Sequence, residues 1–596
     1  MESEIRNRSR ICPVPPGSKI DLNRHLKPRT IMAVSFTLML TASGFAYYLM
    51  QPTVDIIPGP WKGLKVYTPH GAIAIDGDAN FSTTALLEGW PGDGSPGNPY
   101  IIDGLEIDRG GGVGDCIMIN NTRVNFTISN CNLTGAEFGI YLENVTNGEL
   151  VNNMCNNNWG GIILFESDHN TVTNNTCTNN YQGITLMSSS SNTVTDNTCT
   201  SIGREPGCKM REGISLYQGS DSNTVTDNIC NSNDQGIVLH EADSNTLADN
   251  TCNNNTVTGI EFEYESNHNT LANNTCKNNG HGIWLQYSTS NTVTNNTCSS
   301  NDGAGIYLAN VANSELVNNT CFANGIAGIY LQNVSNNQLV NNTCNQNDNS
   351  GIFFNDSDSN TAVNNTCNSN WAGFSYDRSR DETILGNTCN NNTGHGINFM
   401  GTGGTSLANN TCIGNGHAGI YMKLGHYNSV VNNTCTTNGV GILLDNSDSN
   451  SIANNSCNSN DRGIETYYSF LNTLINNICS NNNWTGIFMQ ESDTNTVENN
   501  DCSNNGIGIK LDYSDYNTLA YNDCSNNHIG INLFESYSNN LYGNDFSGCE
   551  FDILEDRESM KDDPLAFLLT MQLAGIIILV AGWRIVRLSR VKSKGE

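Results

Sequence analysis

The chain has 596 residues, only 14% of them charged, yet its formal net charge is -31. That length exceeds the roughly 250–300 residues at which a single core stops growing, so one compact domain is excluded in favour of several domains or a repeat array. A surface this acidic repels phosphate, which speaks against nucleic acid as a partner.

From the N-terminus, residues 1–30 carry seven Lys/Arg against three acids and read as a basic cytoplasmic segment. Residues 31–50 contain no charge and approach the ~20 apolar residues a bilayer-spanning helix needs. They are either a signal-anchor or, with Ala42-Ser43-Gly44 as small residues for cleavage, a signal peptide. Residues 51–115 read as an N-terminal cap and first coil, 116–549 as repeats and 550–563 as a juxtamembrane linker. A second uncharged run, 564–583, is predicted to be a transmembrane anchor, followed by a basic cytoplasmic tail, 584–596. Basic flanks stay inside, so the segment 51–563, with 15 basic and 54 acidic residues, is expected outside the cell membrane.

Self-similarity organises that middle. GIILFESDHNTVTNNTC at 161–177 returns as GITLMSSSSNTVTDNTC at 183–199 and GIWLQYSTSNTVTNNTC at 282–298. Cysteine marks the frame from Cys131 to Cys524, and Phe546 stands in the slot of a further copy. In one copy Ile283, Leu285, Val293 and Cys298 are the apolar set, and in another Ile329, Leu331, Leu339 and Cys344. The spacing of two is strand alternation, and the Asn-Thr-Val-Thr stretch favours strand. Glycine before the Ile and the Asn doublets are expected to supply turns that tolerate positive φ or satisfy backbone groups locally. One copy cannot bury its apolar side chains alone, whereas stacked copies share a continuous core, which predicts a parallel β-helix.

A column of inward cysteines packs as small hydrophobes and is expected to remain mostly as thiols, with inter-coil disulfides and soft-metal binding as the other readings. Cys12, Cys116, Cys208 and Cys549 fall outside the frame.

The leader at 67–107, YTPHGAIAIDGDANFSTTALLEGWPGDGSPGNPYIIDGLEI, followed by NTVxNNTC coils, resembles the NosD-like right-handed parallel β-helix proteins of archaeal surfaces. The resemblance covers about 67–549 and implies an all-β right-handed solenoid of about 19–20 coils, here flanked by two transmembrane helices. It implies little about activity, since that superfamily spans carbohydrate-binding proteins, sugar hydrolases, epimerases and a periplasmic protein of copper-enzyme maturation. Copper ligands are not visible: there is no Met-x-Met or His-x-His cluster.

Strand alternation points one residue between each inward Ile and Leu outward, and in successive copies this residue is Trp284, Tyr307, Tyr330 and Phe353. Such a row is a candidate glycan platform. Glu241, Asp243, Glu261, Glu263 and Glu265 beside His240 form a candidate Ca²⁺ site or acid/base pair, against a plain acidic face. Gly280-His281-Gly282 and Gly394-His395-Gly396 look like a polygalacturonase motif, but the repeat itself demands Gly-x-Gly-Ile and the companion motifs are missing. Asp356-Ser357-Asp358-Ser359-Asn360 begins like a calcium loop and reads better as a turn. The segment between Cys199 and Gly213 is longer than its counterparts and holds Arg204, Lys209 and Arg211, a basic loop suited to a partner or an anionic glycan. These features together predict a membrane-anchored cell-surface protein that contacts glycan or another cell-envelope component, leaning away from catalysis. A polysaccharide-active enzyme and a copper-maturation protein are the alternatives.

Overall fold

The computed structural model describes residues 67–201 and 211–556. Both apolar runs, 31–50 and 564–583, the basic termini, Cys12, and the loop residues Arg204, Cys208 and Lys209 lie outside the described residues. Among the described residues no helix is long and apolar enough to cross a membrane. By Cα packing the chain divides into two units. One, 1–68 with 204–209, lies almost wholly outside the described residues; the other, 69–203 with 210–596, holds a solenoid.

The solenoid has about 19 turns and three parallel ladders. In-register pairing joins each residue to its equivalent in the next turn: Ile283 to Ile306 to Ile329 on the long ladder, Val293 to Leu316 to Leu339 on the second, and Cys298 to Cys321 to Cys344 on the third. Alternation puts the predicted inward sets, Ile283 with Leu285, Val293 and Cys298, and Ile329 with Leu331, Leu339 and Cys344, fully out of solvent. The long ladder runs from Ile73–Asp76 to Phe551–Asp556, so part of the expected linker 550–563 is instead a strand paired to Ile529–Phe534. At the N-terminal end the helix Asp78–Glu88 buries Phe81, whose ring packs 5.1 Å from Tyr100 and 5.3 Å from Phe126.

The asparagine doublets divide their labour. The first Asn, such as Asn295, takes φ 56° and is exposed, as expected of a turn residue and as the first residue of an Asn-x-Thr sequon. The second is buried and acts between turns rather than locally. The Asn296 amide donates to Asn319 Oδ1 (3.0 Å) and to the Leu271 carbonyl (3.0 Å), while its backbone N–H also donates to Asn319 Oδ1 (3.0 Å). Repeated from turn to turn, this ladder satisfies corner backbone groups that would otherwise be buried unpaired.

The glycine before each inward Ile is not a positive-φ residue. It is required by space: a Cβ on Gly282 would lie 2.4 Å from the Gly305 carbonyl oxygen and 3.0 Å from the Cys298 Cβ.

The thiol column is continuous from Cys155 to Cys524, but Cys131 is not part of it. The register pairs Cys155 with Leu133, and Cys131 takes the corner slot of the asparagine ladder, where its N–H donates to Asn153 Oδ1 (3.0 Å). Cys116 precedes Ile117, which pairs with Ile140, so it holds the slot that glycine fills in later turns. Every cysteine among the described residues is a free thiol, and all but Cys549 are buried. Burial pushes thiols such as Cys230 and Cys321 well above their ordinary range, which disfavours the nucleophilic thiolate at those positions.

Candidate functional site

Outward positions of the long strand form columns along the solenoid. In the middle column Trp284, Tyr307, Tyr330 and Phe353 follow one another, all half-buried. Their rings stack with centroids 5.4, 5.0 and 5.0 Å apart and interplanar angles of 24°, 9° and 11°. Parallel pairing at consecutive turns imposes this, because the coil spacing of ~4.8 Å falls within the centroid separations of rings in contact. Faces within the row are therefore covered by the neighbouring ring, while at its ends Trp284 adjoins Glu261 and Phe353 adjoins Ser375, and the row presents edges and hydroxyls. Tyr307 OH donates to Gln332 Oε1, and Tyr330 OH accepts from Asn355 Nδ2 (3.3 Å), so amides of the neighbouring column border the row. Trp284 Nε1 is buried without a hydrogen-bond partner.

Below Trp284 the same column continues with Glu261, its in-register partner. Glu261 faces outward but is only 2% exposed, because Gln235 Nε2 (2.6 Å) and Thr258 Oγ1 (2.8 Å) close over it and donate to Oε2. Burial raises its carboxyl to about 7. Glu263 lies beside it, and its hydrogen bond with His240 Nδ1 (3.4 Å) holds its carboxyl below the ordinary value.

A third carboxyl, not anticipated from the sequence, is Glu212, whose Oε1 accepts from Tyr217 OH (2.6 Å) and whose Oε2 is buried without a partner. Burial raises it too. Counting back two residues from Ile214 would have placed Glu212 in the long strand, but it directly follows the long segment that breaks the frame.

The predicted metal group does not assemble. Glu241 (φ 53°) and Glu265 (φ 60°) are exposed turn residues, and Asp243 gives an oxygen to the Asn267 N–H (2.6 Å) at the corner. Strand and turn thus separate residues that are close in sequence. Among the described residues no group of three or more His, Cys, Asp or Glu could hold a metal ion.

The remaining sequence candidates are absorbed by the fold. His281 Nδ1 accepts the Ala304 N–H (3.0 Å), while His395 stacks on Tyr421 at 4.8 Å and burial lowers its imidazole to about 4. Asp356 is held by Arg378 at 2.7 and 2.9 Å, and Ser357 and Asn360 are buried ladder members. Arg211 is occupied as well: its backbone donates to Asp234 (3.0 Å), and its guanidinium lies 5.5 Å from the Tyr181 ring centre.

Stacked turns with one continuous core and in-register ladders define a parallel β-helix protein. The family model for right-handed β-helix regions matches residues 95–252, 236–383 and 350–482, more than half of the chain, and the protein belongs to that family. A model of the periplasmic copper-binding protein NosD matches 441–556, which makes it a NosD-like member. No curated protein matches the chain.

Among solved structures, a mutant of the periplasmic alginate epimerase AlgG is 15% identical, over 56% of this chain and 84% of its own, with a TM-score of 0.37. The Azotobacter vinelandii mannuronan C-5 epimerase AlgE6 A-module is 13% identical over 69% and 91%, with a TM-score of 0.23. The Dettilon tailspike protein is 13% identical over 56% and 62%, with a TM-score of 0.30.

Proposed function

We propose that this protein is an extracytoplasmic β-helix, held at the membrane by 31–50 and 564–583, that binds glycan on the outward face of its long ladder without turning it over. The observation that carries the reading is the half-exposed row Trp284, Tyr307, Tyr330 and Phe353, bordered by the Gln332 and Asn355 amides. Ring edges beside amide and hydroxyl groups offer a sugar both apolar contact and hydrogen bonds. The test is the double variant Tyr307→Ala, Tyr330→Ala, compared with the parent for binding to a cell-envelope glycan fraction. Loss of binding with the β-sheet circular dichroism retained is expected; undiminished binding overturns the proposal. Anchoring is tested separately, since external protease should strip the repeats from intact cells and leave a C-terminal tail epitope protected.

The second reading, a polysaccharide-active enzyme, is favoured by one observation, the Glu261 carboxyl poised at about 7 directly beneath the aromatic row. Its 2% exposure weighs against it, because a substrate atom would first have to displace Gln235 or Thr258. New reducing ends or unsaturated uronates after incubation with a polysaccharide panel, abolished by Glu261→Gln, would establish the enzyme.

A further inference from the structure

A different edge of the solenoid carries a cleft. It lies at the turn that follows the long strand, where successive turns place Tyr468, Glu491 and Tyr513, all in the left-handed backbone region at φ 47°, 45° and 50°. Their backbone N–H groups each bond to the turn above, Tyr468 to Gln490, Glu491 to Asp512 and Tyr513 to Phe534, so the three are stacked in order. A glutamate on the intervening turn separates the two tyrosines, whose backbones stand two turns apart, roughly 10 Å at the ~4.8 Å strand spacing. Tyr468 is 45% and Tyr513 54% exposed. The gap is a cleft of about 440 Å³ lined by Tyr468, Phe470, Glu491, Asp493 and Tyr513.

Shape and charge both restrict what fits. Two ring contacts at ~3.5–4 Å occupy about 7–8 Å of the separation, and the remainder suits a puckered saturated ring rather than a flat one. Tyr468 OH donates to one oxygen of Glu491 (3.0 Å) and the Asp515 N–H to one oxygen of Asp493 (2.7 Å), so one oxygen of each carboxylate is engaged, and both residues line the cleft. Neither acid is in an ion pair among the described residues, and nearby cations are committed elsewhere, Arg462 to Glu465 and Lys510 to Asp512. Partial burial, followed by the like charges of Asp515 and Glu491, raises the Asp493 carboxyl, so the site concentrates negative charge without an internal counter-charge. Open aromatic faces beside such charge favour an organic cation.

We propose that this cleft binds an amino sugar, with the sugar ring between Tyr468 and Tyr513 and its ammonium group on Glu491 and Asp493. The inference rests on the glycan reading but assigns a distinct chemistry to a distinct face. The same edge continues with Asp515, Glu535 and Tyr537, so a chain of such sugars would meet acids and aromatics at intervals comparable to its own repeat.

The test is calorimetric titration of the full-length protein in detergent with glucosamine oligomers, their N-acetylated counterparts, neutral glucose oligomers and a lysine-rich peptide. Amine oligomers should bind at least about tenfold more tightly than the acetylated and neutral ones. Glu491→Gln and Tyr513→Ala should each weaken that binding about tenfold, and Tyr307→Ala, Tyr330→Ala should leave it unchanged. Both cleft variants sit at turn positions, Glu491 half-buried and Tyr513 exposed, and circular dichroism verifies their fold. Equal binding of acetylated and amine oligomers, indifference to Glu491→Gln, or tighter binding of the peptide would each overturn the inference. Neutral glycan binding without an amine preference defeats this inference alone, whereas no glycan binding of any kind defeats the glycan reading as well.

Discussion

The row at 284–353 and the cleft at 468–513 use similar residues on the same scaffold and end in opposite states. In the row, aromatics occupy consecutive turns, stack at 5.0–5.4 Å and hide their faces from solvent. In the cleft, aromatics occupy alternate turns, a glutamate intervenes, and both tyrosines stay about half exposed. Coil spacing decides between them: one step lets rings touch, and two steps leave room for a guest. A solenoid can thus offer an aromatic by its edge or leave it apart from its neighbours, according to whether the next ring stands one turn away or two.

The row depends on the core behind it, so the largest effect should come from striking that floor. Leu331 is fully buried directly after Tyr330 in sequence. Leu331→Asp leaves an unpaired charge among apolar side chains and should cost several kcal/mol, unravelling the turns around it. Gln332→Asp, one residue on and facing outward, should cost under about 1 kcal/mol. Hydrogen exchange across residues 306–354 reads the difference, and equal protection in the two variants would show the frame to be misplaced.

A smaller effect follows from burying a carboxyl in a stack instead of on an open edge. Glu382 takes an asparagine slot in the corner ladder, accepts the Asn360 N–H (3.0 Å) and amide (3.1 Å), and is 1% exposed. Burial raises its carboxyl from 4.5 to about 9. The folded state therefore holds the proton more tightly than the unfolded one. Its stabilising contribution is complete below about pH 4.5 and is lost as pH rises toward 9. Glu382→Asn restores the ladder amide and should remove a pH-dependent loss of a few kcal/mol across that window. Denaturant melts at pH 5 and pH 8.5 measure it; a parent and variant with the same pH slope would contradict it.

Much of this was legible in sequence because the repeat prints its own register. Inward residues, strand direction and the thiol column from Cys155 onward follow from spacing alone, since each turn must superpose on the last. Besides Glu212, three features escaped for physical reasons. Cys131 fits the cysteine spacing, standing 24 residues before Cys155, yet the turn that joins them steps 22 residues, from Leu133 to Cys155, so Cys131 falls two residues short of the column and into the asparagine slot. Exposure on the outward face depends on neighbouring side chains, so Glu261, outward by alternation, is sealed by Gln235 and Thr258. The cleft depends on residues two turns apart with left-handed turn geometry, which reads in sequence only as Tyr468, Glu491 and Tyr513 scattered at long intervals.

The smallest expected effect is also the most discriminating test of row against cleft. Removing Tyr307 takes one ring from the middle of a stack and deprives both Trp284 and Tyr330 of a face, each such contact contributing about 0.5–1.5 kcal/mol beyond the area it buries. Tyr307→Ala should therefore destabilise the protein by about 1–3 kcal/mol. Tyr513 is 54% exposed and meets only the edge of Phe534, at 5.4 Å and 85°, so Tyr513→Ala should lie within about 0.5 kcal/mol of the parent. If the two variants melt alike in chemical denaturation, stacking at one turn and separation at two do not differ energetically, and the distinction between a self-covered row and an open cleft loses its basis. If only Tyr307→Ala is destabilised, the ring at 513 is held exposed without paying its way in stability, which is the condition a residue kept for a ligand should meet.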